Sequence, residues 1–161
     1  MKKLVLPLAI LAMAALLFGA VALDCVRLAA DLHSRVAYAD GQMATQEIRL
    51  MNVLTSSAKT TPEVQSAVAA LKSIHSRQAR AEAYDALVAS FRKTMSGAID
   101  ATNQLDRKFM DDAAGAMNRR EVAEKQYEEE LARYQNYMNS WRGHVAQAFV
   151  SQTPLGPKPS P

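Results

Sequence analysis

Cysteine is nearly absent. Cys25 is the only one in 161 residues, which excludes an intramolecular disulfide framework and any cysteine-based metal site. A lone cysteine in an exported chain can pair between chains. The plainer reading is a small apolar residue just past an N-terminal leader. Lipidation is a third role, yet Ala22-Leu23-Asp24 precede it, and a lipobox-type site takes a small residue immediately before the cysteine. Glycine and proline are also scarce, six of each. Pro7 lies in the leader, Pro62 stands alone, and Pro154, Pro157, Pro159 and Pro161 crowd the C-terminus. Nothing between Pro62 and Pro154 therefore forbids helix. Aromatics make up 6% of the chain against 49% hydrophobic residues, much of it Ala, Leu and Met, which are good helix formers.

A strong charge of either sign is missing too. The formal charge is +3, but Lys2 and Lys3 are two of the 19 basic residues, and the other 17 against 16 acidic ones leave +1. There is no clustered basic face and no aromatic stacking platform, so no nucleic-acid partner is expected.

The catalytic motifs are absent as well. No two of His33, His75 and His144 share a helical turn, so H-x-x-x-H and H-E-x-x-H are missing. The residues three before them are Ala30, Lys72 and Trp141, which removes the Glu-x-x-His of di-iron bundles. There is no C-x-x-C-H, no G-x-S-x-G and no glycine-rich phosphate loop. Asp111-Asp112 point about 100° apart on a helix and do not converge. A haem held by Met and His is the one cofactor reading left open; the eight methionines read more simply as core filler. The expectation is therefore a non-enzymatic chain with no catalytic, cofactor-binding or metal site residues and no cofactor.

What the sequence does have begins at its N-terminus. Lys2-Lys3 precede an uncharged run from Leu4 to Leu23. As a signal peptide, Lys2 and Lys3 form the positive region, Leu4 to Phe18 the apolar region, and Ala20-Val21-Ala22 the cleavage site. As an uncleaved anchor, some 20 apolar residues span a bilayer core of about 30 Å. Either way Lys2 and Lys3 stay inside and the rest is exported. The localisation expected is the inner or plasma membrane with the helical domain on the extracytoplasmic side; the alternative is a periplasmic or secreted chain.

Beyond Asp24 the pattern is helical. Leu28, Leu32, Val36, Met43, Leu50 and Leu54 recur at threes, fours and sevens, with Gly41 the weak point. Ser56 to Thr61 reads as a turn, and Thr61-Pro62-Glu63 as a helix start. The next helix carries Val64, Val68, Leu71, Ile74 or His75, Ala81, Leu87 or Val88, Phe91 and Met95, with a break expected at Ser96-Gly97. Periodicity resumes at Ile99, Leu105, Phe109 and Ala113. Tyr127, Leu131, Tyr134, Met138, Trp141, Val145 and Ala148 then alternate by four and three, a heptad stripe read first as core and alternatively as a recognition surface. Glu121–Lys125 and Glu129–Arg133 are helix-surface pairs, and Glu128 to Glu130 a solvated face.

One helix from Pro62 to Gln152 would be about 130 Å long and could not bury its own stripe. The stripes must meet within the chain or between chains, and the breaks favour an antiparallel bundle. The fold class expected is thus all-α, an N-terminal apolar helix followed by an antiparallel long-helix bundle. Its domains are residues 1–23 as signal-anchor or signal peptide, 24–152 as helical bundle, and 153–161 as an extended proline-rich tail.

Gly115-Ala116-Met117-Asn118-Arg119, Tyr127 and Tyr134 seven apart, Trp141 and Ala148-Phe149 resemble the C-terminal half of the LemA family, which has G-T-E-N-R, two Tyr-Asn pairs seven apart, Phe-Pro and an apolar end. Gly115, Asn118, Arg119, Tyr127 and Tyr134 stand in register. Glu128 and Gln135 replace the asparagines, Trp141-Arg142 the Phe-Pro, and Ala116-Met117 the Thr-Glu. Further upstream, Gln42 and Asn52 match the family's first helix, whereas its arginine pair and proline have no counterpart. The resemblance implies a long-helix antiparallel bundle behind an uncleaved membrane segment, and no catalytic residues. The partners expected are the membrane, through the N-terminal segment, and a protein of unnamed identity, with homo-oligomerisation open. The alternatives are a soluble exported helical protein, chaperone-like or binding, released after Ala22, and a haem- or metal-bearing bundle.

Overall fold

The computed structural model describes residues 2–56, 60–74, 76–95 and 103–149, with side chains from residue 8 and, in the third stretch, to residue 93. Among these residues the chain is all-α: α1 (Lys2–Ser56), α2 (Pro62–Ser73), α3 (Arg77–Met95), α4 (Gln104–Met138) and α5 (Trp141–Phe149). It packs as two compact units. One comprises residues 41–123, the other residues 1–40 with 124–161.

The long helices follow from an uninterrupted 3-4 alternation. The inward positions of α1 are Ala22, Cys25, Ala29, Leu32, Val36, Ala39, Met43, Gln46 and Leu50. Those of α4 are Asp106, Phe109, Ala113, Ala116, Arg120, Ala123, Tyr127, Glu130, Tyr134 and Tyr137. Such spacing keeps one seam turned to a partner helix. Gly41 does not break α1. A Cβ there would meet nothing within 4 Å, so the position carries only the helix-propensity cost of about 1 kcal/mol.

In the unit of residues 41–123, the end of α1, α2, α3 and the start of α4 enclose one core. Leu50, Leu54, Val64, Val68, Leu71, Leu87, Phe91 and Ala113 are its buried members. The rings of Phe91 and Phe109 meet edge to face at 5.9 Å, the arrangement that aromatic quadrupoles favour. Thr61 takes the extended conformation of an N-cap and Pro62 the first helical position, as expected. The Glu63 carboxyl is held below the ordinary value by backbone N–H donors at this helix start, with help from the Thr61 hydroxyl.

Three boundaries differ from the sequence reading. Pro62 to Met95 is two helices: Ile74 is extended, and Ser76 opens α3 by accepting from the Ala79 N–H at 3.4 Å. At the start of α4, Asn103 caps the Leu105 N–H at 2.9 Å; Leu105, expected inside, is 76% exposed, and Asp106 faces inward. The last helix stops at Met138 and restarts at Trp141, because the Ser140 hydroxyl accepts from the Gly143 N–H at 3.2 Å. The heptad stripe therefore ends at Met138: Trp141 and Ala148 are exposed, and α5 buries Gly143 and Ala146 instead. Leu28 also lies outside the core, at 37% exposure. The expected break at Ser96-Gly97, Ile99, His75 and the tail of 153–161 lie outside the described residues.

In the second unit, α1 and α4 pair antiparallel. Phe18 meets Phe149, Cys25 meets Tyr137 and His33 meets Tyr134, so partner numbers fall as those of α1 rise. Val36, Ala39, Tyr127 and Tyr134 form one buried cluster, and Cys25, Ala29 and Ala146 another. The α4–α5 corner depends on Gly143. A methyl there would strike the Tyr137 carbonyl oxygen and lie 2.5 Å from Met138 Cα. Backbone cannot swing aside as a side-chain tip can. Gly143→Ala should therefore cost about 1–3 kcal/mol, the scale of overpacking. Thermal unfolding of G143A against the parent checks this, and an unchanged midpoint would contradict the corner as described.

Candidate functional site

Two regions stand apart from ordinary packing. The first is the N-terminal part of α1. Every side chain from residue 8 to residue 21 is exposed, among them Leu8, Ile10, Leu11, Met13, Leu17, Phe18 and Leu16, the last at 75%. Ala22 is the first buried residue. Among the described residues, α1 is the one helix long and apolar enough to cross a membrane; a signal sequence has the same character.

The second is a polar cluster inside the unit of residues 41–123. Glu47 is 2% exposed and Arg120 4%. Both occupy or adjoin seam positions, where the alternation would place apolar side chains. The Arg80 Nε donates to Glu47 Oε2 at 2.6 Å, and the Arg120 Nε stands 3.6 Å from Oε1. The Arg120 guanidinium also lies over the Tyr84 ring, 4.3 Å from its centroid. A positive charge on an aromatic face is held by the ring quadrupole. The neighbouring Gln46 accepts from Arg119 Nε at 3.4 Å and from Arg49 at 3.5 Å. Arg119 reaches Gln46 by folding over Gly115, where a Cβ would lie 3.4 Å from the guanidinium. Arg49, Asn52, Val53, Asp112, Ala116 and Arg119 line an open groove of about 370 Å³ beside it.

This arrangement neutralises buried charge and fixes which residues face each other. A buried pair of this kind is weak evidence of stability and better evidence of a specified register. No nucleophile or paired acid–base device is built by these contacts. Sequence reasoning passed over Glu47, Arg80, Tyr84 and Arg120. The available signal was the appearance of Arg120 on the 3-4 stripe between Ala116 and Ala123.

The residues singled out from sequence fall elsewhere. Asp112 lines the groove, while Asp111 is exposed. His33 packs edge-on to Tyr134 at 5.9 Å, and the exposed His144 keeps Nδ1 2.7 Å from the Ser140 carbonyl. Cys25 is buried, and its carbonyl accepts from the Tyr137 hydroxyl at 2.7 Å. Among the described residues, no group of three or more His, Cys, Asp or Glu side chains is placed to hold a metal ion. Of the acidic run, Glu128 and Glu129 are exposed; Glu130 turns inward and accepts from Arg133 at 2.6 Å, closer than the Glu129 pairing at 3.8 Å.

Burial raises the pKa of the Tyr134 hydroxyl and, with its bond to Cys25, that of Tyr137. A phenol whose pKa is raised by folding contributes stability below its unfolded value, near 10, and loses it as pH climbs through the folded value. Alkaline titration should therefore ionise these two tyrosines late, above the ordinary phenol range, with helix loss accompanying that phase. Phenolate absorbance and circular dichroism followed together check this, and ionisation of all tyrosines in one early step would contradict it.

Comparison of the chain with protein-family models, with curated proteins and with solved structures returned no match.

Proposed function

We propose that this chain is a non-enzymatic, membrane-anchored helical scaffold or interaction module of the cell envelope, resembling the LemA family. The observation that carries the reading is the exposed apolar stretch of α1. A helix that is apolar on all sides and exposed at every position from residue 8 to residue 21 is stable in lipid and costly in water. Lys2 and Lys3 hold the N-terminus inside, so the chain beyond Leu23 lies on the extracytoplasmic side.

Two further features support an anchor over a cleaved leader. The apolar stretch and the packed part of α1 are one unbroken helix. Ala22, the last residue of the A-x-A sequence, is buried together with Cys25 and Ala29. The family resemblance is compatible with this arrangement: Tyr127 and Tyr134 are buried in one cluster with Val36 and Ala39 of α1. The protein partner is one that docks on the exposed faces of the bundle, and the groove at Arg49 and Arg119 is a place for it.

The test is extraction. Membranes carrying the full chain are washed at alkaline pH, which strips peripheral proteins and leaves spanning ones. The chain is expected in the washed membranes, with its C-terminal end digested by protease added from outside the cytoplasmic membrane. Release into the wash would overturn the anchor and favour a soluble exported protein.

A further inference from the structure

We propose that α5 is an interfacial helix which lies in the outer leaflet beside α1, with Trp141 and Phe149 immersed among lipid. This rests on the reading of α1 as a bilayer anchor.

The geometry of α5 divides it into three faces. Gly143 and Ala146 turn inward, Ala146 against Cys25 and Ala29. Away from them, Trp141, Ala148 and Phe149 stand at i, i+7 and i+8 on one face, and Val145 at i+4 lies at its edge, packed against the Cys25, Ala29 and Ala146 cluster. Three of these four are exposed, Trp141 by 63% and Phe149 by 58%, and Val145 is half-buried. Arg142, His144 and Gln147, all exposed, occupy the flanks. A nine-residue helix that hides glycine and alanine while showing tryptophan and phenylalanine is inside out for water.

The occupant of that face follows from a ring contact. Phe149 meets Phe18 with ring centroids 6.5 Å apart, and Phe18 is itself 61% exposed. Whatever covers α1 at Phe18 also reaches Phe149. Phe18 lies five residues before Leu23, the end of the uncharged run, which is about 8 Å along a helix axis. Interfacial helices bury their apolar face about 5–10 Å into the headgroup and acyl boundary, so Phe149 sits at the matching depth. The Arg142 guanidinium stands 5.4 Å from the Trp141 ring centroid. Tryptophan and a long basic side chain that reaches back to the headgroups are the residues that settle at this level.

Trp141 is the only tryptophan, so the full chain carries its own probe. The chain is reconstituted into phosphatidylcholine vesicles, floated on a density gradient, and its emission read with lipids brominated near the glycerol end of the acyl chains and with aqueous iodide. The expected result is flotation, loss of most of the emission to bromine and little loss to iodide. Phe149→Asp, at an exposed site, should float equally well but lose much of the bromine quenching. Flotation with iodide quenching and none by bromine overturns the α5 placement while leaving the anchor standing. Failure to float overturns both. Emission insensitive to both quenchers that changes on dilution assigns the face to a second copy of the chain and overturns the proposal, as does unchanged bromine quenching in F149D.

Discussion

Glu47→Ala should lower the unfolding free energy by about 3–5 kcal/mol, because it removes the Glu47 carboxylate that both Arg80 and the buried Arg120 face. The two partners of Glu47 differ in consequence. Arg80 is a third exposed at its side chain and can turn to water; Arg120 is at 5% and cannot. The Tyr84 ring under Arg120 compensates only in part. A domain of ordinary stability has about 5–15 kcal/mol in total, so the loss is a large share of the whole. Chemical denaturation of E47A measures it. The double variant Glu47→Leu with Arg120→Met should recover most of the loss, since replacing both charges by apolar groups of similar volume is near neutral. An E47A protein as stable as the parent would show the pair to be solvated rather than buried.

Phe91→Ala should cost about 3–5 kcal/mol through the cavity it leaves. Phe91 is 1% exposed, belongs to the core shared by the end of α1, α2, α3 and α4, and meets the Phe109 ring. The surrounding residues are held by four different helical segments, so the site cannot collapse around the missing ring, and the upper part of that range applies. Phe109→Leu, which keeps most of the apolar volume at a half-buried position, should cost less. Equal losses in the two variants would contradict the placement of Phe91 at the centre of this core. Neither variant touches the N-terminal stretch of α1, so membrane association should persist in both.

The helical fold was largely legible because its two main signals are local. Scarcity of proline and glycine allowed long helices, and Val64, Val68 and Leu71, or Val36, Met43 and Leu50, recur as a buried face must. The helix start at Pro62 was legible because proline and its cap leave a chemical mark. The two missed interruptions lack such a mark. The 3-4 alternation runs on through Asn139-Ser140, and only the capping bond from Ser140 and the close approach at Gly143 reveal the corner. Ser76 likewise caps α3 without disturbing the apolar spacing. Leu105 and Asp106 exchanged places because the cap at Asn103 sets the phase of α4's first turn, and hydropathy does not see that phase.

The polar cluster was not legible for a different reason. Glu47 and Arg80 lie 33 residues apart in sequence, and each alone resembles a solvated helix charge. Their pairing is a property of the packed unit. The apolar N-terminal helix was legible as such, since a run without charge needs no partner to be recognised, whereas anchor and signal sequence share that character. Periodicity placed Trp141 in the core stripe, and it is exposed instead because it opens a separate helix with its own buried face.

The most direct test of a membrane-anchored scaffold is the intact mass of the natively expressed protein, taken separately from membrane and soluble fractions. The full-length mass, with Leu4 to Leu23 retained, is expected in the membrane fraction. A mass beginning at Leu23 in the soluble fraction would contradict it.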